Sequence, residues 1–205
     1  MTSITYLVAS SIDGYIATES GSVDWLTPFQ AQGEDHGFLE LYSSVEALLM
    51  GSRTYEFALT APAWPSPEKS TWVFTRRSLR IVHPSITLTP DSPATVMQNL
   101  GARRIKHAWL MGGGKLAASF RKEGLISRYV ISVMPVVLGG GIPLLEATGQ
   151  METLALVSAV PFKSGVVQLM YEKAYQSSEP TPTSVTICAA AQLAPAAVVA
   201  VMRRA

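Results

Sequence analysis

The sequence predicts an α/β fold: a central, mostly parallel mixed sheet flanked by helices, with an antiparallel hairpin appended near the C-terminus. Three observations predict it. Short β-rich runs alternate with segments of helical length and composition, and strand–helix–strand alternation builds parallel sheets. Several of those runs are almost continuously apolar, which suits strands covered on both faces. The 205 residues, 48% hydrophobic and 15% charged, suffice for one sizeable core and would be cramped as two domains.

In chain order, strands are expected at "ITYLVAS" (4–10), "EALLMG" (46–51), "TWVFT" (71–75), "ITLT" (86–89), "HAWLMG" (107–112) and "RYVISVMPVVLG" (128–139). Helices are expected over 35–44, 53–59, 93–100 and 115–123. Ser92-Pro93 is a good helix start and Gly124 a good stop after Lys122. "LALVSAVPF", "KSG" and "VVQLMYEKAY" together read as the hairpin. The domain is therefore expected to span residues 1–175. A Pro/Ser/Thr-rich linker (176–186) and an Ala-rich tail (187–205), a candidate docked helix, follow it.

Composition excludes several classes of function. A net charge of +1 offers no reason to expect nucleic acid or an acidic membrane as partner. The single cysteine, Cys188, forms no internal disulfide, and His36, His83 and His107 have no metal-ligand spacing. No metal is expected. The N-terminus lacks a basic region and is interrupted by Asp13, so it does not read as a signal peptide. No apolar run reaches the ~18–20 residues of a membrane span. A cytoplasmic protein is the plain expectation.

"AWLMGGGKLAASF" carries the first functional signal. Three consecutive glycines stand between a strand and a helix, where backbone N–H groups and the positive helix end converge. Gly112, Gly113 and Gly114 either admit a pyrophosphate or merely let strand and helix pack closely. The sequence matches neither G-x-G-x-x-G nor a Walker A loop. Two further junctions favour the phosphate. Gly51 ends a strand and opens a helix with Arg53 and Thr54 in its first turn, where an arginine opposes the helix dipole unless it serves an anion. Thr75, Arg76 and Arg77 end a third strand. Three polar or basic strand ends suit one extended polyanion, and a dinucleotide with a 2′-phosphate is the natural candidate.

"VASSIDGYIA", "MGSRTYE", "VFTR" and "LMGGGKLAASF", in that order, resemble the dihydrofolate-reductase-like family. "ISVMPVVLGGGIPLLE" resembles the branch of the riboflavin-biosynthesis reductase C-terminal domain. The resemblance spans about residues 3–174. It implies NADPH binding, with Gly112 to Gly114 cradling the pyrophosphate and Lys115 and Leu116 opening the helix beneath. It places Arg53 and Thr54, beside Gly51, on the phosphates, and Thr75 and Arg76 on the 2′-phosphate. Ala9 and Ile16 would line the nicotinamide through their backbones, and a homodimer is common in the family. There are two departures. Family members read Gly-Arg-x-Thr where this chain has Gly51-Ser52-Arg53-Thr54, which turns the arginine about 100° further round the helix. An Asp-Asp-Pro stretch of the riboflavin-pathway enzymes is missing from "ALTAPAWPSPE", which counts against a phosphoribosyl substrate.

Members that reduce folate carry a carboxylate sixteen residues before the second motif's glycine, and that count back from Gly51 reaches Asp35. Asp35 is thus the catalytic candidate, or alternatively a cap for the helix containing Phe38, Leu41 and Tyr42. His36 beside it reads as exposed. Trp25 resembles a tryptophan at the end of the family's first loop, either substrate-binding or a loop anchor. Asp13 reads as a turn residue and Gly139 to Gly141 as a plain loop. The expected activity is hydride transfer from NADPH to a small heterocyclic or carbonyl substrate. Alternatives are reduction of 5-amino-6-(5-phosphoribosylamino)uracil or dihydrofolate, or an NADPH-binding sensor or assembly subunit without turnover.

Overall fold

The computed structural model describes residues 2–30 and 34–174, so the linker and tail expectations lie outside the described residues. Eight strands form the main sheet. They are β1 (Ser3–Ser10), β3 (Ala47–Gly51), β4 (Ser70–Phe74), β5 (Ile86–Thr89), β6 (His107–Gly112), β7 (Arg128–Val133), β9 (Leu154–Pro161) and β10 (Val167–Lys173). Their order is β5-β4-β3-β6-β1-β7-β10-β9. The first six run parallel. β10 returns antiparallel beside β7, and β9 closes the sheet antiparallel to β10. A separate two-stranded pair joins β2 (Tyr15–Ala17) to β8 (Ile142–Pro143).

The continuous apolar run of β3 has the expected cause. Ala47 and Leu49 face one core and Leu48 and Met50 the other, because alternate side chains leave a strand on opposite faces. Helices α4 (Pro93–Ala102) and α5 (Gly114–Lys122) cover the first face with Val96, Leu100, Ala117 and Phe120. Helices α2 (Phe38–Ser44) and α3 (Ser52–Ala58) cover the second with Leu41, Tyr42 and Tyr55. A 3-10 turn (Asp24–Leu26) runs into the short α1 (Thr27–Gln30). Among the described residues, no helix is long and apolar enough to cross a membrane.

Boundary signals acted as their chemistry requires. The Ser92 side chain accepts from the Thr95 N–H with Pro93 at the first turn of α4. Gly124 takes φ +67° after α5, a conformation nearly free for glycine. Two expectations change. The strand over 128–139 ends at Val133, since Pro135 has no N–H for a ladder and the Leu138 and Gly139 N–H groups are taken by Asp13. The helix expected over 35–44 begins only at Phe38.

Phe120 is fully buried and meets Phe74 edge-on at 5.5 Å. Phe120→Ala is expected to destabilise by about 3–5 kcal/mol in urea unfolding. Phe57→Ala, on a side chain 58% exposed, should stay within about 0.5 kcal/mol.

Candidate functional site

The carboxyl ends of β4, β3, β6, β1 and β7 lie along one edge of the sheet, where ligands of parallel α/β folds bind. Gly51, closing β3, opens α3, and Gly113 precedes α5, with no side-chain cap at either helix. The peptide joining Gly112 to Gly113 is cis. The three glycines do different things. Gly112 sits at φ +98° over the Tyr6 ring. Gly113 has an ordinary φ, and a Cβ built there meets nothing within 4 Å. Gly114 must be glycine because a Cβ would run into the Pro143 carbonyl. So one glycine of the three serves packing, and one faces open space.

Beside that space, the Leu116 and Ala117 N–H groups return to the Gly113 carbonyl. The N–H groups of Gly114 and Lys115 stand in the first turn, where a helix has no internal acceptor to offer. No acidic side chain occupies this turn. An uncapped, positive helix end next to open room is chemically suited to a phosphate. The residues present therefore fit a dinucleotide's pyrophosphate. Leu116 packs inward against the core and Lys115 is exposed.

β1 and β6 pair only as far as Tyr6 and Leu110. β1 then continues with β7 to Ser10. The Ser10 carbonyl accepts from Met134 on the β7 side, and the Leu7 carbonyl accepts from Trp109 Nε1 on the β6 side. Main-chain groups alternate between strand edges, so Ala9 directs its N–H and C=O into the gap where β6 has departed. Ile16 lies in β2 between Tyr15, whose N–H and C=O both bond Ser11, and Ala17, which pairs with β8.

Among the basic residues, the structure separates neighbours. Arg77 is tied to Glu56 of α3 by two bonds, at 2.7 and 3.1 Å. Arg76 is exposed and has no ion pair among the described residues, and neither has Arg53. The Thr75 hydroxyl accepts from the Arg77 N–H at 2.9 Å and its own N–H donates to Thr89, so Thr75 shapes the turn that presents Arg76.

On the α2 side lies a pocket of about 440 Å³, lined by Leu7 and Ala9 of β1, Ser132 of β7 and Met134 just beyond it, Leu26 and Phe29, and Glu34, Asp35, His36, Phe38 and Leu39. Asp35 lines it. Its Oδ1 accepts from the Gly37 N–H at 3.2 Å and its Oδ2 from the Leu39 N–H at 3.0 Å. Those bonds, Leu39 foremost, hold its carboxyl below the usual carboxylate range. Trp25 is not among the lining residues, although the adjacent Leu26 is, and its buried Nε1 has no partner among the described residues. His36 is a correction. Its side chain is only 12% exposed, bonded to Ser164 Oγ at 3.0 Å and edge-on to Phe162. The β9–β10 turn covers it, which the chain order of the residues hides.

Three participants were not anticipated. Glu34 accepts from the Ser164 and Lys163 N–H groups, docking the pocket segment on the hairpin turn. Ser132, buried at the pocket floor, accepts from Gln168 Nε2, which also donates to the His36 carbonyl. Both polar residues interrupt apolar strands and stand opposite each other in register, a signal available only once the two strands are paired. Asp13 does more than turn the chain: its carboxylate accepts from Leu138 and Gly139 at 3.0 and 2.7 Å.

Asp13, Glu34 and Asp35 all have depressed folded pKa values. A depressed carboxylate contributes stability above its unfolded pKa of ~4 and loses it as pH falls through the folded value. Stability measured by urea unfolding is therefore expected to hold from neutral pH to about 4 and to fall below that. Asp35→Asn should lower stability at pH 7 and make the acid fall shallower.

Residues 2–168 match the RibD C-terminal domain family. The chain is 34% identical over 168 residues to YwjB of Bacillus subtilis (strain 168), an uncharacterized protein, covering 82% of this chain and 95% of that one. It is 25% identical over 162 residues to the riboflavin biosynthesis protein RibD of Mycobacterium tuberculosis, covering 71% of this chain and 46% of that longer protein. A crystal structure from Shewanella sp. PV-4, assigned to riboflavin biosynthesis, superposes with a TM-score of 0.76 at 27% identity, covering 85% of this chain and all of that one. The chain belongs to the RibD C-terminal domain family, a branch of the dihydrofolate-reductase-like fold.

Proposed function

We propose that the chain is an NADPH-dependent reductase that delivers hydride to a small heterocyclic or carbonyl substrate. Family membership supports a reductase-type activity. The observation that carries the finer reading is one sheet edge. There an uncapped glycine turn and an unpaired arginine lie on one side of the parting between β1 and β6, and a pocket lies on the other. From the end of β4 to the end of β1 is three strand spacings, about 14 Å at ~4.8 Å each, a span suited to an extended dinucleotide.

In this reading the N–H groups of Gly114 and Lys115 hold the pyrophosphate, and Arg76 contacts the 2′-phosphate while Arg77 is kept in place by Glu56. The main chain of Ala9 and Ile16 lines the nicotinamide. NADPH, when bound, supplies the hydride. The pocket excludes water from one face of the substrate with Leu7, Phe29 and Phe38. Asp35, ionised at neutral pH, orients a substrate N–H by accepting from it. A carboxylate with a depressed pKa is a poor general acid at pH 7, so the proton accompanying the hydride comes from water. An ionised carboxylate lining the pocket also weighs against a binding protein without turnover.

Fluorescence titration with NADPH and NADH tests the reading, with tight NADPH and clearly weaker NADH expected. Arg76→Ala should weaken NADPH by roughly 10–100-fold, the ~1.5–3 kcal/mol of a charge-assisted bond, and leave NADH nearly unchanged. Equal loss for both cofactors removes Arg76 from the 2′-phosphate. Gly113→Ala, whose methyl meets no protein atom, should lower affinity for both cofactors with the chain still folded. Unchanged affinity would leave the glycines as a turn only.

A further inference from the structure

We propose that Asp13 is a positioning residue for the nicotinamide end of the cofactor, which it fixes by tying segment 134–145 to the β1–β2 turn. The proposal rests on the reductase reading and adds a residue to that same site. Asp13 is exposed and is not among the pocket's lining residues. It acts through the main chain that it holds.

Segment 134–145 follows β7 and passes the carboxyl end of β1. The Met134 N–H donates to the Ser10 carbonyl and the Val136 carbonyl accepts from the Ile12 N–H, both at 2.8 Å. Next, the Leu138 and Gly139 N–H groups donate to the two Asp13 oxygens at 3.0 and 2.7 Å. Ile142 and Pro143 then form β8 against β2, and the Leu144 N–H donates to the Gly14 carbonyl at 2.8 Å. The far end lies against the glycine turn, where the Pro143 carbonyl leaves no room for a Cβ on Gly114. One piece of chain thus joins the two places where the reductase reading puts the nicotinamide and the pyrophosphate.

The ties along it are unequal. Outside the β2–β8 pairing, the hydrogen bonds of residues 137–141 among the described residues are the two that Asp13 accepts. Gly139 and Gly141 take φ +74° and +146°, and glycine brings little stiffness of its own because it has the most backbone freedom to lose. Two charge-assisted bonds supply that restraint. The Gly114 end is held separately, by Gly14 on the Leu144 N–H and by the Tyr6 hydroxyl on the Leu144 carbonyl at 2.7 Å. Removing the Asp13 carboxylate therefore loosens the turn that leads into Ile16 and leaves the phosphate end in place.

The test titrates the full chain by calorimetry with NADPH and with 2′-phospho-ADP-ribose, which is NADPH without its nicotinamide. Asp13→Ala should weaken NADPH about tenfold, the scale of a lost charge-assisted bond, and leave 2′-phospho-ADP-ribose unchanged. Asp13→Asn keeps one of the two acceptor oxygens and should lose less. A residue that only supports folding would weaken both ligands alike, and a carboxylate that only repels phosphate would, once removed, tighten both. Either result overturns the proposal, and so does an unchanged NADPH affinity. Should Asp13→Ala fail to fold, Asp13→Asn decides by the same comparison. A native chain that binds NADPH no tighter than 2′-phospho-ADP-ribose overturns this proposal alone. One that binds neither overturns the reductase reading, and this proposal with it.

Discussion

The candidate site depends on where two neighbouring strands stop pairing. β1 and β6 are joined from Ser3 to Tyr6 and from His107 to Leu110, and no further. β6 then leans toward β3 with an irregular step that sets Met50 opposite Gly112, while β1 stays with β7. Diverging parallel strands leave main-chain groups facing each other without partners, a costly arrangement inside a protein. Trp109 Nε1 satisfies the Leu7 carbonyl at 3.0 Å, and Ala9 is left to the gap. Tyr6 keeps the parting in place from below: its ring lies under Gly112 and its hydroxyl donates to the Leu144 carbonyl at 2.7 Å. The gap is built into the packing, so the pocket and the glycine turn inherit fixed positions on either side of it.

Most of this frame was legible in the sequence, for a local reason. The main-sheet strands and helices α3 to α5 are continuous apolar or amphipathic runs, with Ser92 marking the start of α4 and Gly124 the end of α5, and both signals are carried within a few residues. The pair β2–β8 was not legible. Tyr15–Ala17 and Ile142–Pro143 are too short to carry a period, and what holds them is remote: the Leu144 N–H on the Gly14 carbonyl and the Ala17 backbone against Gly141. The end of β7 was overestimated because "VMPVVLG" stays apolar past Val133, while the Leu138 and Gly139 N–H groups go to Asp13 instead of a strand. The site divides in the same way. The glycine turn and Arg76 follow from local order. Ser132, Gln168 and Glu34 become participants only through contacts across more than thirty residues of sequence.

The charges along this edge are sorted. Toward β4 and β3 lie Arg53, Arg76 and Arg77, and the one acidic residue among them, Glu56, is bound to Arg77. Toward β7 and the hairpin lie Glu34 and Asp35, each bound by backbone N–H groups. A net charge of +1 conceals this separation, because a whole-chain sum says nothing of which end of a sheet holds which sign. In the proposed reading, one end recognises a polyanion and the other repels it, so a dinucleotide has a single favourable direction along the edge.

Capping and site function need not be alternatives for Asp35. A carboxylate on a mobile side chain would lose conformational freedom in binding a substrate N–H. One that already accepts from Gly37 and Leu39 has lost it on folding, and its remaining lone pairs keep a fixed direction. The same bonds stabilise the ionised form, which removes Asp35 as a proton donor near neutral pH and keeps it an acceptor. The sequence reading set a catalytic carboxylate against a helix cap. The proposed reading gives it a third role that depends on the second: a carboxylate positioned by the helix it caps, in which the first turn of α2 supplies the rigidity that substrate orientation requires.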